Sequence, residues 1–236
     1  GGCSETQVCE NGRFFLGPGL YDTTEVCSAL QNYLGGNGID QPSLYLAGGA
    51  ALEDCDLTPT PNPETREWKI VVAGRGMLNG LADGDAPITF EDPDIELGAL
   101  SKPMLGICAA NIVVDGIVLF NTPTRTAGNL SLNPPPGWDW SSANGRCNAL
   151  YDSGHVTVRN VKQVAGHWGT SDGFDVGSNS TITDSFIEAN DDAIKLIATN
   201  QQFSRVTLWK HPIGWAIECG GWGAAPDHHN VRVSDV

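Results

Sequence analysis

His155-Val-Thr-Val-Arg-Asn-Val161 is a short run of alternating β-branched residues with the turn residue Asn160 near its end. The same shape returns three times toward the end of the chain, at Ser180-Thr-Ile-Thr-Asp-Ser-Phe186, Phe203-Ser-Arg-Val-Thr-Leu-Trp209 and Asn230-Val-Arg-Val-Ser-Asp-Val236. Alternation of this kind predicts half-buried strands. The runs recur at about 20 to 30 residues, the length of one solenoid coil. The fold class is therefore predicted to be all-β, a right-handed parallel β-helix.

Comparable runs occur upstream, and helical periodicity is confined to residues 24–34. The rival all-β architecture is a sandwich, whose strands return every ~8 to 12 residues without a shared template. The repeat favours the solenoid, with residues 1–236 as a single domain. The upstream runs are Ser43-Leu-Tyr-Leu-Ala-Gly-Gly49, Lys69-Ile-Val-Val-Ala-Gly-Arg-Gly76 and Asn111-Ile-Val-Val-Asp-Gly-Ile117.

Two features interrupt or end the repeat. The stretch 122–146 contains Pro134-Pro-Pro-Gly-Trp-Asp-Trp140 and is predicted to be a loop insertion that brings Trp138 and Trp140 to the surface. The chain stops at Val236 inside a strand-like run without a polar cap, although solenoids need capped ends. We therefore expect a solenoid truncated at its C-terminal end, as part of a longer chain.

Charge and cysteine usage restrict the partners and the compartment. The 28 acidic residues outnumber the 13 basic ones and give a formal charge of -15, which disfavours nucleic acid, anionic membranes and polyanionic substrates. Seven cysteines without a CxxC pair favour disulfides in a secreted protein, and the odd number leaves at least one thiol without an internal partner. Sequons at Asn129 and Asn179 are predicted glycosylation sites, in agreement with secretion.

Acidic residues are spaced at the coil period in Thr170-Ser-Asp-Gly-Phe-Asp-Val-Gly177 and Glu188-Ala-Asn-Asp-Asp-Ala-Ile-Lys-Leu196. Asp172 precedes Asp191 and Asp192 by 19 and 20 residues, so stacked coils would bring the three carboxylates together. Glycoside hydrolysis needs one carboxylic acid and one carboxylate, and crowding raises the pKa of at least one group. Adjacent strand residues point to opposite faces, so a bend must turn both toward the cluster. The alternative is that these are turn acids that accept backbone N–H groups.

The residues around these acids resemble glycoside hydrolase family 49, the dextranases and isopullulanases, and more distantly the family 28 polygalacturonases. The resemblance implies that Asp191 is the general acid, and that Asp172 and Asp192 hold and deprotonate water in an inverting reaction on a neutral α-glucan. Thr170-Ser171 departs from the expected Gln-Thr pair, and the Gly-His-Gly segment of family 28 is absent. The matching segments are Val161-Lys-Gln-Val164, Trp168, Ser171-Asp-Gly173, Asn190-Asp-Asp-Ala-Ile-Lys195 and Ser204-Arg-Val-Thr-Leu-Trp-Lys210.

Aromatic and charged residues near the acids are candidates for substrate binding, because indole faces stack on sugar rings. For Trp209 the alternating strand favours packing in the core or in a side-chain ladder. For lysines such as Lys195, a solvated surface position is the default expectation. His228 and His229 are adjacent and would point apart in a strand, so no metal is predicted. The predicted substrate-binding residues are Trp138, Trp140, Trp168, Lys195, Trp215 and Glu218.

The leading hypothesis is a secreted inverting endo-glycosidase that binds a polysaccharide and needs no cofactor. No nucleic-acid or membrane partner is expected, and the sequence leaves the oligomeric state open. One alternative is a noncatalytic β-helix glycoprotein of a cell wall or extracellular assembly. Another is a polygalacturonase-type pectin hydrolase, which would need basic residues beside the acids. A carbohydrate-binding module would depend on the tryptophans rather than on the acids.

Overall fold

The structure of the chain is a computed structural model, and the parts that it describes are discontinuous. No helix in those parts is long and apolar enough to cross a lipid bilayer. The helix predicted at 24–34 lies outside the described residues. The described ranges are 8–9, 13–16, 19–21, 43–46, 50–53, 69–74, 77–80, 88–91, 105–108, 110–121, 130–133, 151–164, 172–220 and 229–236.

The described residues are mostly β-strand, with one short helical turn at 151–153. This confirms the predicted all-β class. The strands are β1 (Val8–Cys9), β2 (Arg13–Leu16), β3 (Gly19–Tyr21), β4 (Ser43–Leu46), β5 (Ala50–Glu53), β6 (Lys69–Gly74), β7 (Met77–Gly80), β8 (Ile88–Glu91), β9 (Leu105–Cys108), β10 (Asn111–Asp115), β11 (Val118–Asn121), β12 (Leu130–Leu132), β13 (His155–Arg159), β14 (Lys162–Val164), β15 (Phe174–Val176), β16 (Ser180–Ala189), β17 (Ile194–Leu196), β18 (Gln201–Lys210), β19 (Ile217–Cys219) and β20 (Arg232–Ser234).

These strands form two parallel sheets. The first is built around the path β2-β4-β6-β10-β13-β16, continues to β18 and β20, and also includes β14, β11, β7, β5 and β3. The second has the order β19-β17-β15-β12-β9-β8. Among the described pairs, the short β1–β2 contact is antiparallel. Successive repeats of the chain contribute strands to both sheets, and each such group of strands is a rung: rung 1 comprises β13, β14 and β15, rung 2 comprises β16 and β17, and rung 3 comprises β18 and β19.

The four runs with the shared sequence template pair side by side. Val158 lies opposite Ile182, Ile182 opposite Phe203, and Phe203 opposite Val233. The first three of these side chains are at most 1% exposed, and they form part of one continuous apolar cluster. Full burial of such a side chain contributes about 1.5–3 kcal/mol, so the stacked apolar columns are a main source of stability.

Residues with positive φ mark the corners where successive rungs bend. Gly116, Asn160, Asp184, Arg205 and Asp235 all have left-handed φ values, and they follow or interrupt the strands of the first sheet. Asn and Asp tolerate this region better than most residues, which explains their frequency there. Arg205 is an exception in residue type, and it donates to Asp184 of the previous rung at 2.6 Å.

A second column of left-handed asparagines forms a hydrogen-bonded series, the asparagine ladder, made of Asn179, Asn200 and Asn230. Asn230 Nδ2 donates to Asn200 Oδ1, and Asn200 Nδ2 donates to Asn179 Oδ1, each at 2.8 Å. Asn179 Nδ2 in turn donates to the carbonyls of Asp152 and Gly154. An amide carries both a donor and an acceptor, so the same residue can repeat on every rung.

The stretch predicted as a loop at 122–146 is not entirely loop. Leu130–Leu132 forms β12, which pairs with β9 and β15 in the second sheet, and its residues are buried. The loop prediction is wrong for these three residues. Leu130 and Leu132 are two positions apart in the strand, so both side chains point to the same face of the sheet and pack in the core. Trp138 and Trp140 lie outside the described residues.

Candidate active site

The three predicted acids lie where the chain enters the second sheet. Asp172 is two residues before β15, and Asp192 is two residues before β17. Gly173 donates its N–H to the Asp192 carbonyl at 2.8 Å, and Ala193 donates to the Trp215 carbonyl at 3.0 Å. Asp172, Asp192 and Trp215 therefore occupy equivalent positions on rungs 1, 2 and 3.

Asp172, Asp191 and Asp192 form a compact group, the acid cluster. One carboxylate oxygen from each lies within 4.8 Å of the others. Asp191 and Asp192 are in the bend between β16 and β17 rather than in a regular strand. Such a bend is what two adjacent side chains need to face the same site.

A glycine on rung 3 leaves room for the acid cluster. Gly214 has a φ of +66°, and a Cβ placed on it would lie 2.0 Å from Asp191 Oδ1 and 2.8 Å from Asp192 Oδ1. Both distances are shorter than any real carbon–oxygen contact of this kind. Rung 3 can therefore approach the two acids only because this position has no side chain.

Backbone N–H groups from successive rungs hold the carboxylates. Asp192 N donates to Asp172 Oδ1 at 3.2 Å, and Trp215 N donates to Asp192 Oδ1 at 2.8 Å. Hydrogen bonds to ionised acceptors are stronger than those between neutral groups. Each rung thus orients the acid of the rung before it.

Lys195 is the cation at the centre of the site. Its Nζ lies 2.6 Å from Asp172 Oδ2 and 3.7 Å from Asp175 Oδ1. The residue is only 5% exposed, so the solvated position that is the default for lysine is wrong here. On the next rung it faces Glu218, which lies directly opposite Lys195 in the pairing of β17 with β19.

Burial and crowding raise the pKa values of several of these carboxyl groups. Burial raises the pKa of Asp172 to about 6, with a contribution from Asp191 and Asp192, while Lys195 opposes the shift. The pKa of Asp191 is also raised, by burial first and by Asp192 second. Burial and the charge of Asp192 raise the pKa of Glu218 to about 7. Groups with such values can donate protons under mildly acidic conditions.

Three further side chains hold the bends, and sequence reasoning did not assign them this role. Gln163 is fully buried, and its Nε2 donates to the carbonyls of Asp172 at 3.1 Å and Glu188 at 3.0 Å. The sequence signal for this role was that Gln163 is a polar residue two positions after Val161, where strand alternation points its side chain into the core. Lys210 Nζ donates to the carbonyls of Asn190, His211 and Ile213, and burial lowers its pKa. His211 contacts Glu188 at 2.8 Å.

Rung 3 presents apolar surface beside the acid cluster. Trp215 is 70% exposed and Trp209 is 60% exposed, with Ile213 between them in sequence at 45%. The core packing favoured for Trp209 is wrong. The left-handed Arg205 shifts the inward phase of β18 from Phe203 to Val206, so Trp209 lies on the outward face.

The remaining predicted positions are only partly described. Trp168 and Asn129 lie outside the described residues. Asn179 uses both of its Nδ2 hydrogens in the asparagine ladder, and a glycan on that atom would replace one of them. Cys219 is exposed and forms no disulfide.

The acid cluster offers hard oxygen ligands of the type that Ca²⁺ and Mg²⁺ prefer. However, the Lys195 ammonium already lies 2.6 Å from Asp172 and neutralises part of its charge. This ammonium competes with a metal ion for the same carboxylate oxygens.

Comparison with known proteins identifies partial relatives. No protein-family model matches the chain. A segment of 83 residues is 32% identical to the dextranase of Arthrobacter sp. (strain CB-8) and 30% identical to the dextranase of Arthrobacter globiformis. The segment covers 35% of this chain and 12% of each dextranase, so the chain matches only about an eighth of the length of these relatives. The site is thus one of crowded carboxylates on parallel sheets, and the sequence similarity, weak and partial, is consistent with a glycoside hydrolase. The particular relatives are dextranases.

Proposed function

We propose that the chain is part of a secreted polysaccharide hydrolase of the right-handed parallel β-helix type, similar to glycoside hydrolase family 49, that cleaves a neutral α-glucan such as dextran within the polymer. Residues 1–236 would form one domain of this enzyme. The observation that carries the proposal is the acid cluster, in which Asp172, Asp191 and Asp192 converge and two of the three have raised pKa values. The partial similarity to dextranases supports the same reaction class.

In the proposed reaction Asp191 is the general acid. It is the least buried of the three, and its raised pKa favours the protonated form that a leaving-group oxygen requires. Asp172 and Asp192 are joined through a backbone N–H and would hold the attacking water and take its proton. Lys195 opposes the rise that burial causes in the pKa of Asp172, and with a pKa of about 6 Asp172 can act as an ionised base near neutral pH.

The spacing of the acids bears on the stereochemistry. Acid and base carboxyl groups are about 6.5–9.5 Å apart in most inverting glycosidases and about 5–5.5 Å apart in retaining ones. Oxygen atoms of the acid cluster lie within 4.8 Å of one another, which favours retention if taken alone. Inversion is proposed on the resemblance to family 49, with two acids sharing one water. Retention is the second candidate.

Charge and exposed aromatics favour a neutral sugar chain. The two lysines at the cluster are engaged: Lys195 pairs with Asp172, and Lys210 donates to backbone carbonyls. Neither is placed to bind the carboxylate of a uronate, and the net charge of -15 would repel such a polymer. Trp215 offers its exposed indole next to Asp192 as a stacking surface for a neutral sugar ring.

The test is hydrolysis of dextran, pullulan and polygalacturonate by the complete protein, with reducing ends quantified and the first anomer identified by proton NMR. The proposal expects cleavage of dextran with the β-anomer formed first. The α-anomer as first product would establish retention instead. Release of reducing ends from polygalacturonate alone would overturn the proposed similarity to family 49. If folded protein released no reducing ends from any polymer, the proposed hydrolase activity would be overturned.

A further inference from the structure

Glu218 lies in the middle of β19, outside the three acids that the proposed reaction uses. It is opposite Lys195 in the register of the second sheet, and its carboxyl group makes a side-chain hydrogen bond with Asp192. Asp192 also accepts the Trp215 N–H at 2.8 Å. Two groups of rung 3 thus converge on the same carboxylate of rung 2.

The second oxygen of this carboxyl group is enclosed. Glu218 Oε2 is buried and has no hydrogen-bond partner in the described part of the chain. A carboxylate with an enclosed, unpartnered oxygen loses hydration that nothing replaces, whereas a neutral carboxylic acid loses much less. The geometry therefore favours the protonated form of Glu218, with its O–H as the only donor that a carboxyl group can offer.

We propose that Glu218 is a positioning residue: as a neutral carboxylic acid it donates its proton in a hydrogen bond to Asp192 and thereby holds Asp192 as the carboxylate that deprotonates water. This inference rests on the proposed function, because it assigns Asp192 the role of base. Both contacts from rung 3, the Trp215 N–H and the Glu218 O–H, treat Asp192 as an acceptor.

The charges that face Glu218 agree with this state. Burial, Asp192 and Asp172 all raise its pKa, and Lys195 on the neighbouring strand opposes them. Lys195 divides its charge between Asp172 at 2.6 Å and Asp175 at 3.7 Å, so its effect on Glu218 is only partial. The resulting pKa of about 7 keeps the proton on Glu218 in mildly acidic solution and releases it above neutrality.

Two variants of Glu218 test whether its side chain acts as a hydrogen-bond donor, rather than through its charge or its size. In Glu218→Ala the donor is lost, and we expect kcat to fall about 10- to 100-fold, the size of one hydrogen bond to a charged group, with little change in KM. In Glu218→Gln the amide N–H₂ replaces the O–H, so most of that activity returns. Because an amide does not ionise, Glu218→Gln has no group at this position that titrates near neutrality.

Equal activity losses in Glu218→Gln and Glu218→Ala would overturn the inference. A second readout does not depend on catalysis: the side-chain carboxyl resonances of protein labelled with ¹³C-glutamate. One resonance should titrate near neutrality, vanish in Glu218→Gln and titrate at lower pH in Asp192→Asn, which lacks the repelling charge. Absence of this resonance in active protein contradicts the role of Glu218. Its presence in protein that cleaves no polymer leaves the carboxyl pair established and refutes the proposed function, and with it the positioning role.

Discussion

The acid cluster and the asparagine ladder are built by the same stacking of rungs, yet they differ in chemistry. Asn179, Asn200 and Asn230 pass hydrogen bonds from one rung to the next at 2.8 Å. Asp172 and Asp192 also occupy equivalent positions on neighbouring rungs, but carboxylates have no donor for one another. Repetition of an amide therefore satisfies its polar groups, whereas repetition of an acid accumulates like charge.

The way in which the structure accommodates this charge defines the site. Backbone N–H groups and the buried Lys195 each offset part of the repulsion in the acid cluster. The ladder needs none of these devices. Self-complementary residues thus stabilise the stacked rungs, whereas residues that are not self-complementary produce the perturbed pKa values that mark a candidate functional site.

A large loss of activity, with the asparagine ladder left intact, is expected from Gly214→Ala. The new Cβ would overlap Asp191 Oδ1 and Asp192 Oδ1, so activity should fall about 100-fold, as expected for ~1 Å displacement of catalytic groups. Gly116→Ala is the matched control, because Gly116 also has positive φ but lies between β10 and β11. Initial rates on dextran and thermal unfolding of both variants provide the measurement. Equal activity losses in the two variants would show that backbone strain alone is responsible.

The asparagine ladder should respond in stability and not in activity. Asn200→Ala removes two side-chain hydrogen bonds and leaves a non-glycine residue at φ +57°, which together cost about 2–3 kcal/mol of unfolding free energy. Asn200→Gly keeps the backbone conformation accessible and should lose less. Urea unfolding measures both. If folded Asn200→Ala loses as much hydrolytic activity as a variant of the acid cluster, the distinction between the asparagine ladder and the acid cluster is wrong.

A smaller effect follows from pH. The folded pKa of Asp172 is raised from 3.8 to about 6, so the folded chain binds more protons than the unfolded chain between these values. This contribution to stability is complete below pH 4 and is lost as the pH rises through 6, by about 1–2 kcal/mol after allowance for its coupling to Lys195. Urea unfolding at several pH values should show that the free energy of unfolding declines as the pH rises from 4 to above 6. This decline should persist in Asn200→Ala and be weaker in Asp172→Asn. A rise in wild-type stability across the same range would contradict the raised pKa.

The sequence was sufficient for the features that depend on local pattern. Alternation in the four template runs predicted β13, β16, β18 and β20, and these strands pair as expected. The spacing of 19 and 20 residues matched one rung and predicted that the acids would meet. The β-helix itself and the catalytic roles of the acids remain predictions.

Features that depend on phase or on contacts across rungs were not predictable. The left-handed Arg205 moves the inward phase of β18 by one residue, which places Trp209 outside, and simple alternation contains no such signal. The burial of Lys195 depends on Asp175 of another rung, and the contact of Glu218 with Asp192 depends on the register of β17 and β19. Sequence spacing gives the rung but not the direction of a side chain within it.

The most direct test of the account compares Asp191→Asn with Asp184→Asn in the complete protein. Both variants lose one carboxylate from rung 2, but Asp184 is exposed in the middle of β16, seven residues before Asp191, and pairs with Arg205. We expect Asp191→Asn to remain folded and to hydrolyse dextran about 10²- to 10⁴-fold more slowly, which is the usual contribution of a general acid. Asp184→Asn should keep the wild-type rate. Wild-type hydrolysis by folded Asp191→Asn would contradict the central claim that this bend carries the catalytic acid.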